Sequence, residues 1–66
     1  MRNRIKVERA ELNITQQDLA EAVGVSRQTI GAIEKNRFIP SSLLALKIAR
    51  HFNKMVEEIF ILEEDD

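Results

Sequence analysis

The feature that most constrains this chain is the segment 16–35, in which two short helical patterns flank one glycine-containing turn. Gly24 stands where a helix needs a left-handed terminating residue, and Ser26 is a good N-cap for the helix that follows. Two helices joined so closely can cross steeply only where a small residue such as Ala20 lies at the crossing. The apolar residues at helical spacing are Leu19, Ala20 and Val23 before the turn and Ile30 and Ile33 after it. We therefore expect two tightly packed helices here; an ordinary αα-hairpin is the alternative.

Three more helices are expected around this pair. The first is predicted from about Asn3 to Leu12, the fourth from Ser42 to Phe52 after the N-cap Ser41, and a short fifth from Val56 to Phe60. Thr15 and Asp18 form a capping-box pattern at the start of the second helix. The residues Ile61 and Leu62 are predicted to be extended. The expected fold is all-α, a single five-helix domain over residues 1–66 with a possible short C-terminal strand.

Several classes of protein are excluded or disfavoured by composition. The chain has no cysteine, so disulfides and thiolate metal sites are impossible. Its apolar runs are too short for a membrane span, and the charged N-terminal residues do not resemble a signal peptide, so we expect a soluble, cytoplasmic protein. His51 has no second ligand at metal spacing. No catalytic triad, carboxylate pair or Gly-rich phosphate loop is evident, so no cofactor, metal, small-molecule ligand or enzymatic activity is expected.

Charge is divided unevenly along the chain. Residues 1–54 contain all ten Lys and Arg but only five of the acidic residues, a net charge of +5. Residues 55–66 carry six acidic residues and no basic one, ending in the acidic tail 63–66. A basic body with an acidic tail points to nucleic acid as the partner. A solvated surface with a solubilising tail is the alternative.

The start of the helix after the turn carries polar side chains that the core does not need. These residues are Ser26, Arg27, Gln28 and Thr29. When such a helix lies in the major groove of DNA, its N-terminal side chains reach the base edges. Arginine can bridge O6 and N7 of guanine, and glutamine can bridge N6 and N7 of adenine. We therefore predict that these four residues contact bases of double-stranded DNA.

Other polar residues are placed to hold the phosphate backbone, which positions a protein without reading sequence. Gln16 begins the second helix, where free amide groups and the positive helix end favour a phosphate. Gln17 is a weaker candidate beside it. Lys35, Asn36 and Arg37 follow the predicted recognition helix and are expected to contact the flanking backbone.

Arg9 is predicted to have a structural role. It lies on the inward face of the first helix, where an unpaired charge is costly. Glu34, at the end of the recognition helix, is the obvious partner. We expect a partly buried Arg9–Glu34 ion pair that holds the two helices together.

With these residues in view, the sequence resembles the Cro/C1-type, or Xre-type, helix-turn-helix family. The resemblance covers about residues 3–60 and is carried by Arg9, TQQDLAEAVGVSRQTIGAIEKNR, Pro40-Ser41, ALKIARHF and VEEIF. It implies a lambda-repressor-like five-helix fold, a homodimer bound to an inverted repeat, and repression by occlusion. It also implies DNA contacts from Gln16, Ser26, Arg27, Gln28 and Lys35, and pairing of Arg9 with Glu34. Two positions depart from the family pattern, Glu8 in place of an apolar residue and Met55 in place of a better cap.

The apolar end of the chain is the candidate dimer interface. Its expected residues are Val56, Ile59, Phe60, Ile61 and Leu62, with Leu43, Leu46 and Phe52 as possible additions. Ile61 and Leu62 are expected to pair as a strand with the two-fold mate; the alternative is that these residues close the chain's own core. A protein-interaction module, with the acidic tail as its working part, is the second functional hypothesis. The polar SRQT start argues against it, because protein-binding helices more often present aromatic or aliphatic anchors.

Overall fold

The computed structural model describes residues 1–66 and contains five helices and two short strands. In chain order these are β1 (Arg2–Asn3), α1 (Ile5–Leu12), α2 (Gln16–Val23), α3 (Arg27–Glu34), α4 (Ser42–His51), α5 (Val56–Ile59) and β2 (Phe60–Ile61). The five predicted helices are confirmed, and their bounds differ from the prediction by at most two residues. None of the helices is long and apolar enough to cross a membrane.

Most of the helices begin at capping hydrogen bonds that the local sequence predicts. Thr15 Oγ1 accepts from Asp18 N–H at 3.0 Å, and an Asp18 carboxylate oxygen accepts from Thr15 N–H at 2.9 Å, which completes the capping box. At the starts of α3 and α4 only the first of these bonds is present, since Ser26 Oγ accepts from Thr29 N–H and Ser41 Oγ from Leu44 N–H. Met55 provides no side-chain cap for α5, but a carboxylate oxygen of Glu58 accepts from its N–H at 3.0 Å.

The core is formed by side chains from all five helices and from β2. Six of them are large and essentially inaccessible to solvent: Ile5, Leu19, Ile30, Ile33, Ile48 and Ile59. Ala20, Val23, Ala49, Phe52 and Phe60 complete the buried cluster. Leu12, the last residue of α1, is 51% exposed, because the buried residues of this two-turn helix, Ile5 and Glu8, lie in its first turn.

The C-terminal strand differs from the prediction. β2 pairs antiparallel with β1 of the same chain, with Arg2 opposite Ile61 and Asn3 opposite Phe60. Asn3 therefore belongs to a strand and not to the first helix. β2 ends at Ile61 and leaves Leu62 outside the strand. The expected pairing of Ile61 and Leu62 with a two-fold mate stays a prediction, because a two-stranded sheet leaves the other edge of β2 unpaired. The short sheet brings the two ends of the chain together.

A second difference concerns Glu8, which is buried with only 3% of its surface exposed. Its carboxylate accepts a hydrogen bond from Lys54 Nζ at 2.8 Å, and Arg4 Nε lies 3.8 Å away. The pair joins α1 to the connection between α4 and α5, and it explains how a carboxylate is accommodated at a position where an apolar residue was expected.

Candidate nucleic-acid interface

The crossing of α2 and α3 is set by the turn between them. Gly24 adopts the left-handed conformation at φ 79°, a region that residues with a Cβ rarely occupy. Its N–H donates to the Ala20 carbonyl at 2.9 Å, and the N–H of Val25 donates to the same oxygen at 3.0 Å. Ala20 itself is fully buried. α2 therefore stops sharply at Val23, and α3 begins at Arg27 after the three-residue turn 24–26.

The first turn of α3 divides its polar residues into two groups. Ser26 Oγ accepts from the N–H of Thr29 at 3.1 Å, and the two hydroxyl groups lie 3.0 Å apart. These two side chains are thus engaged in capping the helix. Arg27 and Gln28 are exposed, and Gln28 forms no side-chain hydrogen bond within the chain. The side chain of Gln28 is therefore free to meet a base edge.

A hydrogen-bond network connects three helices behind this surface. Arg9 Nε donates to Glu34 Oε2 at 2.7 Å and Arg9 Nη2 donates to Glu34 Oε1 at 3.2 Å, a bidentate ion pair between α1 and α3. The Arg9 and Glu34 side chains are 14% and 8% exposed. Arg9 Nη1 also donates to the Ile14 carbonyl at 3.1 Å, so the guanidinium holds the loop before α2 as well.

Gln16 extends this network to the exposed surface. Its Nε2 donates to Glu34 Oε1 at 3.2 Å, and its Oε1 accepts from Arg27 Nη1 at 3.4 Å. The Gln16 side chain lies against Gly31, where an added Cβ would be 3.8 Å from its nitrogen and in ordinary contact. The N-terminus of α2 and the start of α3 are consequently held side by side, and Gln16 is half-buried instead of free in solvent.

The segment after α3 presents the remaining predicted phosphate contacts. Lys35, Asn36 and Arg37 are exposed, and neither Lys35 nor Arg37 takes part in an ion pair. Asn36 is left-handed at φ 60°, and the N–H of Arg37 donates back to the Ala32 carbonyl at 2.9 Å. Gln17 differs from these residues, since its Nε2 donates to Glu21 along α2 at 2.9 Å.

One residue beside this segment was not identified from sequence as structural. Asn3 was expected only as the start of the first helix, yet its Nδ2 donates to the Ile33 carbonyl at 2.9 Å and to Asn36 Oδ1 at 3.1 Å. Nothing in the local pattern signals this role, because Asn3 and Ile33 are 30 residues apart.

The acidic tail contacts the N-terminus and not the helices. The Met1 amine lies 2.8 Å from Asp66 Oδ1 and 3.4 Å from Glu63 Oε1. The hydrogen bond to Asp66 raises the pKa of the amine, and the same bond lowers the pKa of the Asp66 carboxyl. No cluster of three His, Cys, Asp or Glu residues has the geometry to hold a metal ion.

Comparison with known proteins agrees with this geometry. A helix-turn-helix family model matches residues 5–59. A helix-turn-helix-type transcriptional regulator of Methanocaldococcus jannaschii is 54% identical over 66 residues, which are the whole of both chains. A regulator of this type from Archaeoglobus fulgidus is 53% identical, covering all of this chain and 93% of the relative. The regulator YgzD of Bacillus subtilis is 48% identical over the full length of both chains. The chain belongs to the helix-turn-helix family of Cro/C1-type transcriptional regulators.

Proposed function

We propose that this regulator is a homodimeric repressor that reads double-stranded DNA by inserting α3 into the major groove. The observation that carries the proposal is the exposed pair Arg27 and Gln28 at the start of a helix whose orientation is fixed from behind. Side chains at this position of a recognition helix reach base edges. Each good bidentate contact to a base contributes about 1–3 kcal/mol of discrimination against the wrong base.

Charge on either side of α3 supports the same mode of binding. The unpaired Lys35 and Arg37 follow the helix, and the amide groups at the N-terminus of α2 lie beside its start. Helix N-termini and basic side chains are the groups that bind DNA phosphates. Two phosphate-binding elements on either side of one base-reading helix would fix its depth and register in the groove.

Gln16 is proposed to connect the phosphate-binding start of α2 to the base-reading start of α3. Its amide links Glu34 to Arg27, so a phosphate bound at the start of α2 and a base bound by Arg27 would be held by one connected set of side chains. Ser26 and Thr29 are proposed to contribute as the cap that holds the first turn of α3 and only secondarily as contacts to DNA.

The homodimer is proposed on the exposed apolar residues of α4, α5 and the C-terminal end. Leu43, Leu46 and Leu62 are 63%, 57% and 78% exposed, and Val56 and Ile61 are half-buried beside them. Ile59, Phe60 and Phe52 are removed from the expected interface, because they are 0%, 8% and 7% exposed in the core of a single chain. A two-fold axis through the remaining surface would present two α3 helices to half-sites about 34–36 Å apart.

The test of sequence reading is selection from random duplex DNA with the purified protein, the double variant Arg27→Ala/Gln28→Ala, and the control Lys6→Ala. The control removes the same positive charge from an exposed part of α1 outside the proposed DNA and dimer surfaces. We expect an inverted repeat that the control retains and the double variant loses. Failure of the wild-type protein to enrich any sequence contradicts the proposal and favours a protein partner instead. Enrichment of a single half-site contradicts only the dimer.

The dimer is tested separately by sedimentation equilibrium of the wild-type protein and of Leu62→Asp. Because Leu62 is exposed, the substitution leaves the fold of one chain intact while placing a charge in the proposed interface. We expect a dimer at micromolar concentration and a monomer for the variant. A monomeric wild-type protein at high micromolar concentration contradicts this part of the proposal. Repression is tested by transcription in vitro from a promoter that overlaps the selected site.

A further inference from the structure

Asn3 is the one side chain that joins the N-terminal strand to the end of the recognition helix. Its Nδ2 donates to the Ile33 carbonyl at 2.9 Å and to Asn36 Oδ1 at 3.1 Å. Its Oδ1 accepts from the N–H of Ile5 at 3.3 Å, which caps the start of α1. All the hydrogen-bonding groups of this amide thus contact the start of α1, the end of α3 or the segment 35–37.

The Ile33 carbonyl is the backbone group through which Asn3 contacts the start of that segment. It lies in the last turn of α3, where carbonyl groups have no partner within the helix. It accepts from the Asn36 N–H at 3.0 Å as well as from Asn3. Asn36 adopts a left-handed conformation, which asparagine tolerates better than most residues but which still needs support. Asn3 supplies that support from outside the helix.

Asn3 is itself held on a rigid base. It pairs with Phe60 across the two-stranded sheet, and the N–H of the next residue, Arg4, donates to the Ile59 carbonyl at 2.8 Å. Ile59 and Phe60 are both core residues. The position of the Asn3 amide is therefore set by the core and not by the flexible side chains of the surface.

We propose that Asn3 is a positioning residue for DNA-backbone binding, which acts by holding Lys35, Asn36 and Arg37 in the orientation that meets phosphates. The proposal rests on the proposed function, because it assigns phosphate contacts to those three residues. Asn3 also orients the Asn36 amide: its oxygen is occupied by Asn3, and its Nδ2 donor is left without a partner in the chain. That donor is the group a phosphate oxygen requires.

The variant that tests this role is Asn3→Ser. Serine keeps an oxygen that can cap α1 and leaves the net charge unchanged, but it is too short to reach the Ile33 carbonyl. Affinity is measured over a range of KCl concentrations for the selected operator and for an unrelated duplex. We expect binding to both to weaken on the order of tenfold, with a slope of log K against log salt shallower by about 1 to 2. An unchanged slope overturns the proposal.

Two further variants separate positioning from a loss of stability. Ile48→Val truncates a buried residue of α4 that forms no hydrogen bond through its side chain, and it should leave the slope unchanged below its melting temperature. On a Lys35→Ala/Arg37→Ala background, Asn3→Ser should have no additional effect on the slope, because the two charged side chains that set the salt dependence are absent. An additive effect of Asn3→Ser on that background overturns the proposal.

A measurement without DNA keeps the two proposals distinguishable. The Arg37 N–H that donates to the Ala32 carbonyl reports on the segment, and its hydrogen exchange is expected to be faster in Asn3→Ser on the order of tenfold. Unchanged exchange overturns the positioning role even if DNA affinity falls. If the wild-type protein binds no duplex, the proposed function fails, while the exchange rate alone still decides whether Asn3 holds the segment.

Discussion

The α2–α3 pair and the C-terminal end of the chain, which comprises Lys54, α5 and β2, are built in opposite ways. The α2–α3 pair depends on neighbours in sequence: a capping box, the left-handed Gly24 and the cap Ser26 define it within twenty residues. The C-terminal end depends on distant residues, since β2 pairs with β1 and Lys54 pairs with Glu8 of α1. The difference explains why the elements of the α2–α3 pair were located from sequence and the pairing of β2 with β1 was not.

The two regions also use charge differently. In the first, the Arg9–Glu34 pair is bidentate, mostly buried and extended by Gln16. In the second, Lys54 remains 35% exposed while Glu8 is buried. Because a buried carboxylate depends on its partners more than an exposed amine does, the two members of the Glu8–Lys54 pair should not be equally sensitive to substitution.

The largest effect is expected from breaking the ion pair behind the proposed DNA-reading surface. Arg9→Met leaves the Glu34 carboxylate buried with only Gln16 as a partner, and we expect it to destabilise the fold by about 3–5 kcal/mol in urea unfolding. The double variant Arg9→Met/Glu34→Leu, in which neither charge remains, should recover most of that loss. A single variant within about 1 kcal/mol of the wild-type protein would show that the pair has little structural importance.

The second prediction concerns the C-terminal end as part of a single-chain core. Ile59→Ala removes a fully buried side chain, and a loss of about 2–5 kcal/mol is expected in chemical unfolding. The measurement is made on the Leu62→Asp background, in which the proposed dimer is absent. A small loss there, with a large loss in the dimeric protein, would mean that Ile59 is buried by a second subunit and not by its own chain.

The third prediction uses the asymmetry of the Glu8–Lys54 pair. Lys54→Met leaves the buried Glu8 carboxylate without its closest partner and should lower the free energy of unfolding. Glu8→Leu should give a free energy of unfolding that is higher than that of the wild-type protein or within about 1 kcal/mol of it. The hydrogen bond to Glu8 raises the pKa of Lys54 above its usual 10.5. This contribution is therefore fully present below pH 10.5 and is lost as the pH rises through the higher folded-state value. Thermal unfolding of the two variants against pH provides the comparison, and equal losses from both substitutions would contradict it.

The smallest expected effect lies in the capping box of α2. Thr15→Ala should cost about 1 kcal/mol, and Asp18→Asn should cost less. The hydrogen bond from the Thr15 N–H lowers the pKa of the Asp18 carboxyl below its usual 3.8. Its contribution is present above pH 3.8 and is lost as the pH falls through the lower folded-state value. An NMR titration of the carboxyl group checks the direction, and an Asp18 pKa at or above 3.8 would contradict it.

Most of what could be predicted from sequence follows from how far each interaction reaches along the chain. The exception is the Arg9–Glu34 pair, which joins residues 25 apart and was predicted because an inward-facing charge requires a partner. The bounds of α3 and the caps of α2, α3 and α4 were predicted correctly, since each depends on side chains within four residues. The contacts of Asn3 and Glu8 were not, because their partners lie 30 and 46 residues away and no local periodicity encodes them. Gln16 was predicted in part. Its position at the start of α2 was evident from sequence, but its hydrogen bonds to Glu34 and Arg27 form only when α2 and α3 are packed.

The amino-acid sequence by itself determined five short helices, a sharp turn at Gly24 and a polar helix start at Arg27 and Gln28, because helix caps and apolar spacing act over a few residues. Tertiary structure alone decided that β2 pairs with the N-terminus, that Glu8 is buried against Lys54, and that Asn3 holds the segment after α3. Those contacts join residues that are far apart in sequence. They form only once the core has brought the surfaces together, so their geometry is a property of the packed chain.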